Sequence, residues 1–119
     1  MTEPTAWLMS EGRVMASAVV AESSTDRRIG LRGRGEHSGA FVLPSCRWIH
    51  TVGMRFDLDV AYLDSEGRVI KAVRMKRHRL GAPVLNARTV VEAHGGSFAR
   101  WGLRVGDVIE IRVHDGATS

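Results

Sequence analysis

The chain has 119 residues, 44% of them apolar and 25% charged, a size and balance that give one hydrophobic core and exclude a disordered, fibrous or membrane-embedded class. No apolar run approaches the ~18 residues needed to cross a bilayer, and a single cysteine rules out an intrachain disulfide, which fits a reducing compartment. The net charge of +4 comes from 15 arginines and 2 lysines against 13 acids, a skew that reads either as attraction for an anionic partner or as the codon bias of a GC-rich genome.

The first residues, Met1 to Ser10, include Glu3 and Pro4 and lack the basic start and apolar core of a secretory leader, so a cytoplasmic protein is expected. Arg13 to Ala21 are rich in β-branched and small apolar residues and predict a first strand. Ser23 to Asp26 then offer N-cap side chains, Arg27, Arg28, Ile29 and Leu31 follow with helical spacing, and Gly33 and Gly35 stop the run, which predicts a short helix over about residues 24–33. Ala40 to Leu43 form a brief strand ended by Pro44, a poor member of a hydrogen-bonded ladder.

Between Cys46 and Asp64, polar and reactive side chains are threaded through a β-type apolar pattern. From Met54 to Tyr62 the alternation is regular, one side apolar and the other polar at first and apolar later, as in a strand entering the core. Asp64 to Gly67 supply turn residues and Val69 to Val73 resume an extended pattern, which predicts a hairpin. A basic loop spans residues 76–83, a short strand Thr89 to Ala93, and Ser97 is placed to cap a helical turn ending near Trp101. After the Gly106-Asp107 turn, Val108 to Val113 alternate cleanly as a last strand. The expected fold is a single domain over 1–119, mainly β, a compact barrel- or sandwich-like unit of about seven short strands.

Three spaced motifs carry a family resemblance: Arg28-Ile29-Gly30-Leu31-Arg32-Gly33-Arg34, the block from Trp48 to Asp64, and Val90 to Gly96 continued by Gly102-Leu103-Arg104-Val105-Gly106-Asp107. From about residue 13 to residue 113 the chain resembles the bacterial and archaeal family called domain of unknown function 192. The resemblance implies a compact β-rich fold and brings no established general activity. The chain departs from the family pattern at Asp57, where proline is usual, and at Ala93-His94, which stand where an apolar residue and proline are common.

Several residues invite chemistry. Cys46 and His50 suggest a thiol with its base, or two zinc ligands. Four residues along a strand cover about 13 Å, too far for one metal without a turn between them or help from His78 or His94, so no metal site and no cofactor are assigned. His50 beside Thr51 can donate, accept and titrate near neutrality; with Met54 and Arg55 these residues outline a surface cleft for a small polar or anionic ligand or a protein partner. The alternative is a histidine satisfied by backbone at a strand end.

Asp59 and Glu92 are the candidate acids of a second reading, in which a hydrolase or transferase uses His50 with one of them; an ion pair between Asp59 and an arginine is the structural alternative. Lys71, Arg74, Lys76, Arg77, His78 and Arg79 concentrate positive charge and raise a third reading, a nucleic-acid accessory protein. That segment lacks the aromatics or recognition helix such binding uses, and a solvated face accounts for it. Trp48 and Trp101 read as core or rim packing.

Overall fold

The computed structural model describes residues 5–20, 39–49, 51 and 56–113. In chain order they form β1 (Thr5–Ser10), β2 (Arg13–Val20), β3 (Ala40–Pro44), β4 (Leu58–Leu63), β5 (Val69–Met75), β6 (Thr89–His94), the helix α1 (Ser97–Trp101) and β7 (Glu110–Val113). The strands build one sheet in the order β5-β4-β6-β3-β2-β1-β7. All neighbours are antiparallel except β2 and β3, which pair parallel from Ala18↔Ala40 to Val20↔Val42. Parallel neighbours require a crossover connection; the expected helix near 24–33 falls in that connection, outside the described residues.

β1 is a strand that composition did not announce. It is fixed by the two-residue turn Glu11-Gly12 closing the pair Ser10↔Arg13. Both turn residues have positive φ, 53° and 75°, as a type I′ hairpin demands. The alternation then buries Ala6 and Leu8 and leaves Trp7 44% exposed. Near the signature block the expected strand is shorter than the pattern: β4 begins at Leu58.

The two edge strands meet at one corner. Val69 N–H donates to Asp107 O at 2.8 Å, Gly106 N–H to Val69 O at 2.9 Å, and Ile109 N–H to Gly67 O at 2.8 Å. These bonds curl the sheet towards a barrel without closing it: beyond Val69, β5 and β7 have no hydrogen-bonded neighbour on their outer sides among the described residues. Strand alternation divides the buried side chains into two groups. The inner group includes Leu8, Val42, Ala61, Leu63, Val69, Val91 and Ile109, with Phe98 and Leu103 of the α1 region packed on them. The outer group includes Phe41, Leu58, Val60, Tyr62, Val90 and Ile49. β4 is covered on both sides, which is why all six of its residues are buried and why its polar Asp59 needs a partner.

Candidate functional site

The outer face is roofed by a strap, Cys46 to Thr51, laid along the segment 78–88. Cys46 N–H donates to Arg88 O at 3.3 Å, Val84 N–H to Arg47 O at 3.0 Å, Gly81 N–H to Ile49 O at 3.0 Å, Thr51 N–H to Arg79 O at 2.8 Å and His78 N–H to Thr51 O at 2.9 Å. The segment from Cys46 to Ile49 is thus irregular chain held by its backbone, not an extended strand, so the spacing of about 13 Å expected along a strand does not apply to it. Gly81 permits the close approach, since a Cβ there would lie 2.9 Å from Ile49 O and 3.5 Å from the Tyr62 hydroxyl oxygen.

Thr51 is fully buried. Its hydroxyl donates to Lys76 O at 2.6 Å and accepts from Arg79 N–H at 2.9 Å, fastening the strap to the basic loop. His50, Met54 and Arg55, the other residues of the expected cleft, lie outside the described residues. Cys46 is half-buried, and its thiol donates to Trp48 O at 3.3 Å. Trp48 sits at the rim, 42% exposed, with its indole N–H donating to Gly81 O at 2.6 Å. Among the described residues no three His, Cys, Asp or Glu side chains gather as a metal site.

Below the strap the floor of the outer face carries Tyr62 and Glu92. Glu92 is completely buried and lies in register with Val60 of β4 and Phe41 of β3, in the middle of the sheet. Tyr62 is 1% exposed, with the Lys71 ammonium 5.8 Å from its ring centre. Burial, and then the negative charge of Cys46 as thiolate and of Glu92, push the Tyr62 phenol above its ordinary value. The folded state therefore keeps a proton that the unfolded chain releases above about pH 10, so stability is expected to fall as pH rises past that point. Tyr62 is the only tyrosine, so phenolate absorbance near 295 nm reports on it alone: it should appear together with loss of structure, and Tyr62→Phe should flatten the alkaline decline. A phenolate that forms at about pH 10 in fully folded protein contradicts this.

Asp59 and Glu92 do not converge. Asp59 points inward with its strand neighbours Ala61 and Leu63, whereas Glu92 points outward with Val90. Asp59 Oδ1 accepts from Arg74 Nε at 3.1 Å, the arginine ion pair expected of it. Its Oδ2 accepts from Gly96 N–H at 3.0 Å and Phe98 N–H at 2.9 Å. Ser97 makes no side-chain cap; the α1 cap position is Gly96, and the carboxylate that satisfies the turn comes from β4. His94 stacks on Phe56 with ring centres 4.5 Å apart.

The basic segment is not one continuous cationic face. Arg74 is paired with Asp59, Arg68 Nη1 donates to Gly106 O at 2.9 Å, and Lys71 lies over Tyr62. No helix among the described residues is long and apolar enough to cross a membrane. The proximity of Tyr62 and Glu92 escaped the sequence because it arises from the β4–β6 pairing, and only alternation within each strand hinted at which side each residue takes.

Comparison with known proteins places this geometry. The fold is similar to the crystal structure of a protein of unknown function from Novosphingobium aromaticivorans DSM 12444, with TM-score 0.69 and 19% identity over 90% of this chain and 83% of that one. It is equally similar to a structure from Sinorhizobium meliloti 1021 described as a "putative transcription regulator", with TM-score 0.70 and 17% identity over 92% of this chain and 94% of that one. Among curated proteins there is no match. The model of the domain of unknown function 192 family, described as an uncharacterized ACR, matches residues 6–111. That match covers most of the sequence and spans all three motifs, and the chain is a member of the domain of unknown function 192 family.

Proposed function

We propose that the chain is a binding module, not an enzyme, and that the outer-face cleft at the end of the strap takes a small polar or anionic ligand. His50, Met54 and Arg55 are its contact residues, Thr51 is the buried anchor that fixes the strap end beside them, and the cytoplasm, where a lone cysteine stays reduced, is its place of work. The observation that carries this reading is the tie between the strap end and the basic loop: the Thr51 hydroxyl donates to Lys76 O and accepts from Arg79 N–H, and His78 N–H donates to Thr51 O. That tie sets the strap end beside the exposed residues Lys76, Arg77, His78 and Arg79, a local positive charge that attracts an anion. Should the chain instead catalyse a hydrolysis or group transfer with His50, Glu92 is the acid on the face the strap covers, because Asp59 faces inward.

The test is a thermal-shift screen of wild-type protein against organic acids, sugars, nucleotides and short nucleic acids, repeated with His50→Ala and Arg55→Ala. A ligand present at about a hundred times its Kd adds about 2.7 kcal/mol and raises the melting temperature by several degrees. The reading expects such a rise in wild type and little or none in the two variants. Stabilisation of all three proteins by the same amount overturns the cleft. The absence of any stabilising compound overturns a small ligand and leaves a protein partner as the occupant.

A further inference from the structure

On the inner side of the sheet, an open groove of about 350 Å³ lies between β5 and α1. Its walls include Ala72 of β5, Phe98 and Ala99 of α1, and Leu103, with Asp59 and Arg74 at the polar end. Two guanidiniums lie near the turn that leads into α1: a Cβ at Gly96 would stand 3.5 Å from Arg100 Nη1 and 3.8 Å from Arg74 Nη2, so Arg74, a wall of the groove, has Arg100 beside it just beyond the lining. Asp59 does not neutralise both. One of its oxygens takes Arg74 Nε and the other takes the Gly96 and Phe98 N–H groups. Arg100 Nη2 donates to Ser97 Oγ at 3.1 Å, and among the described residues Arg100 has no carboxylate partner.

We propose that the cleft between β5 and α1 is a second binding site, which takes a small carboxylate on an apolar body. The carboxylate sits between Arg74 and Arg100, and the body lies on Ala72, Phe98, Ala99 and Leu103. Two like charges within 4 Å of one point repel, and an anion shared by them removes that cost while receiving charge-assisted hydrogen bonds from the planar forks. The N–H groups of Gly96 and Phe98 are occupied by Asp59, so the guanidiniums alone recognise the anion. The groove is open, and its apolar wall favours a hydrocarbon or aromatic body over a bare inorganic ion. The site is on the opposite face from the strap and stands independently of the function proposed above.

The test follows backbone amide shifts by NMR while 3-phenylpropionate is added to the full chain, with 3-phenylpropan-1-ol and inorganic phosphate as comparison probes. Saturable shifts at Ala99 and Leu103 are expected with 3-phenylpropionate, and at least tenfold weaker binding by the other two. Arg100→Gln removes a charge from an exposed side chain, and Ala99→Trp fills the groove from an exposed position; each should weaken 3-phenylpropionate at least tenfold, while His50→Ala leaves it unchanged. The absence of saturable shifts, binding of the alcohol or of phosphate as tight as that of the acid, or wild-type affinity in Arg100→Gln and Ala99→Trp would each overturn the site. Loss of binding in His50→Ala alone would move the ligand to the outer face and overturn it as well.

Discussion

Replacing Asp59 with alanine is expected to remove about 3 kcal/mol of stability and to release α1 from the sheet. Two backbone N–H groups, at Gly96 and Phe98, lose their acceptor, and an unsatisfied buried donor costs about 1–3 kcal/mol. Phe98 is itself buried, so its N–H finds little water to compensate. The Arg74 pair adds little, since that side chain is 55% exposed and such pairs contribute at most about 1 kcal/mol. Urea unfolding gives the total, and hydrogen exchange at the Gly96 and Phe98 amides localises it. Asp59→Asn keeps one carbonyl oxygen and should fall between wild type and Asp59→Ala. A loss under about 1 kcal/mol, with both amides still protected, would show that β4 does not hold the helix in this way.

Gly67→Ala is expected to cost about as much by opening the corner where β5 meets β7. Gly67 has φ +84°, and a Cβ there would lie 2.6 Å from the backbone carbonyl oxygen of Ile109. Left-handed backbone alone costs a non-glycine residue about 1 kcal/mol. The remaining cost comes from pushing a main-chain oxygen away and stretching the Ile109 N–H bond to Gly67 O. Gly12→Ala isolates the first contribution, because Gly12 has φ +75° with nothing within 4 Å of its Cβ position. The difference between the two variants should be about 2 kcal/mol, with faster exchange at the Val69 and Ile109 amides in Gly67→Ala only. Equal losses in both would make the corner incidental to stability.

Much of the fold is legible along the chain because it is local. The hairpin at Asp64 to Gly67, the strand Thr89 to Ala93 and the turn of helix ending at Trp101 all follow from neighbouring residues, and all occur. β1 was hidden because its alternation is short and its hairpin depends on Glu11, which carries no turn signature of its own, adopting positive φ. The strap was hidden for a different reason. Cys46 to Ile49 have a strand-like composition, but their hydrogen-bond partners are loop residues from Gly81 to Arg88 that no periodicity marks.

The candidate residues divide along the same line. Asp59 as the partner of an arginine follows from the expense of a buried acid, which any apolar alternation around an aspartate announces. That its second oxygen would hold the start of α1 does not follow, since the contact joins β4 to a turn beyond β6. Thr51 beside His50 suggests a reactive pair, yet its hydroxyl is enclosed by Lys76 and Arg79, a contact created by the course of the basic loop. Arg100 attracts no notice in the sequence because its significance depends on Arg74, brought near only when α1 settles beside β5.

The position of β1 between β2 and β7 governs the timing of assembly. The hairpin of β1 and β2 can form as soon as residue 20 has been made, but one side of β1 is completed only by residues 110–113. A nascent chain therefore carries an open strand edge until residues 110–113 have been made, and joining β1 to β7 closes a long loop. Such nonlocal pairing slows folding. Unpaired edges also invite association with other chains in the interval, so a truncation before residue 110 leaves this vulnerability permanent.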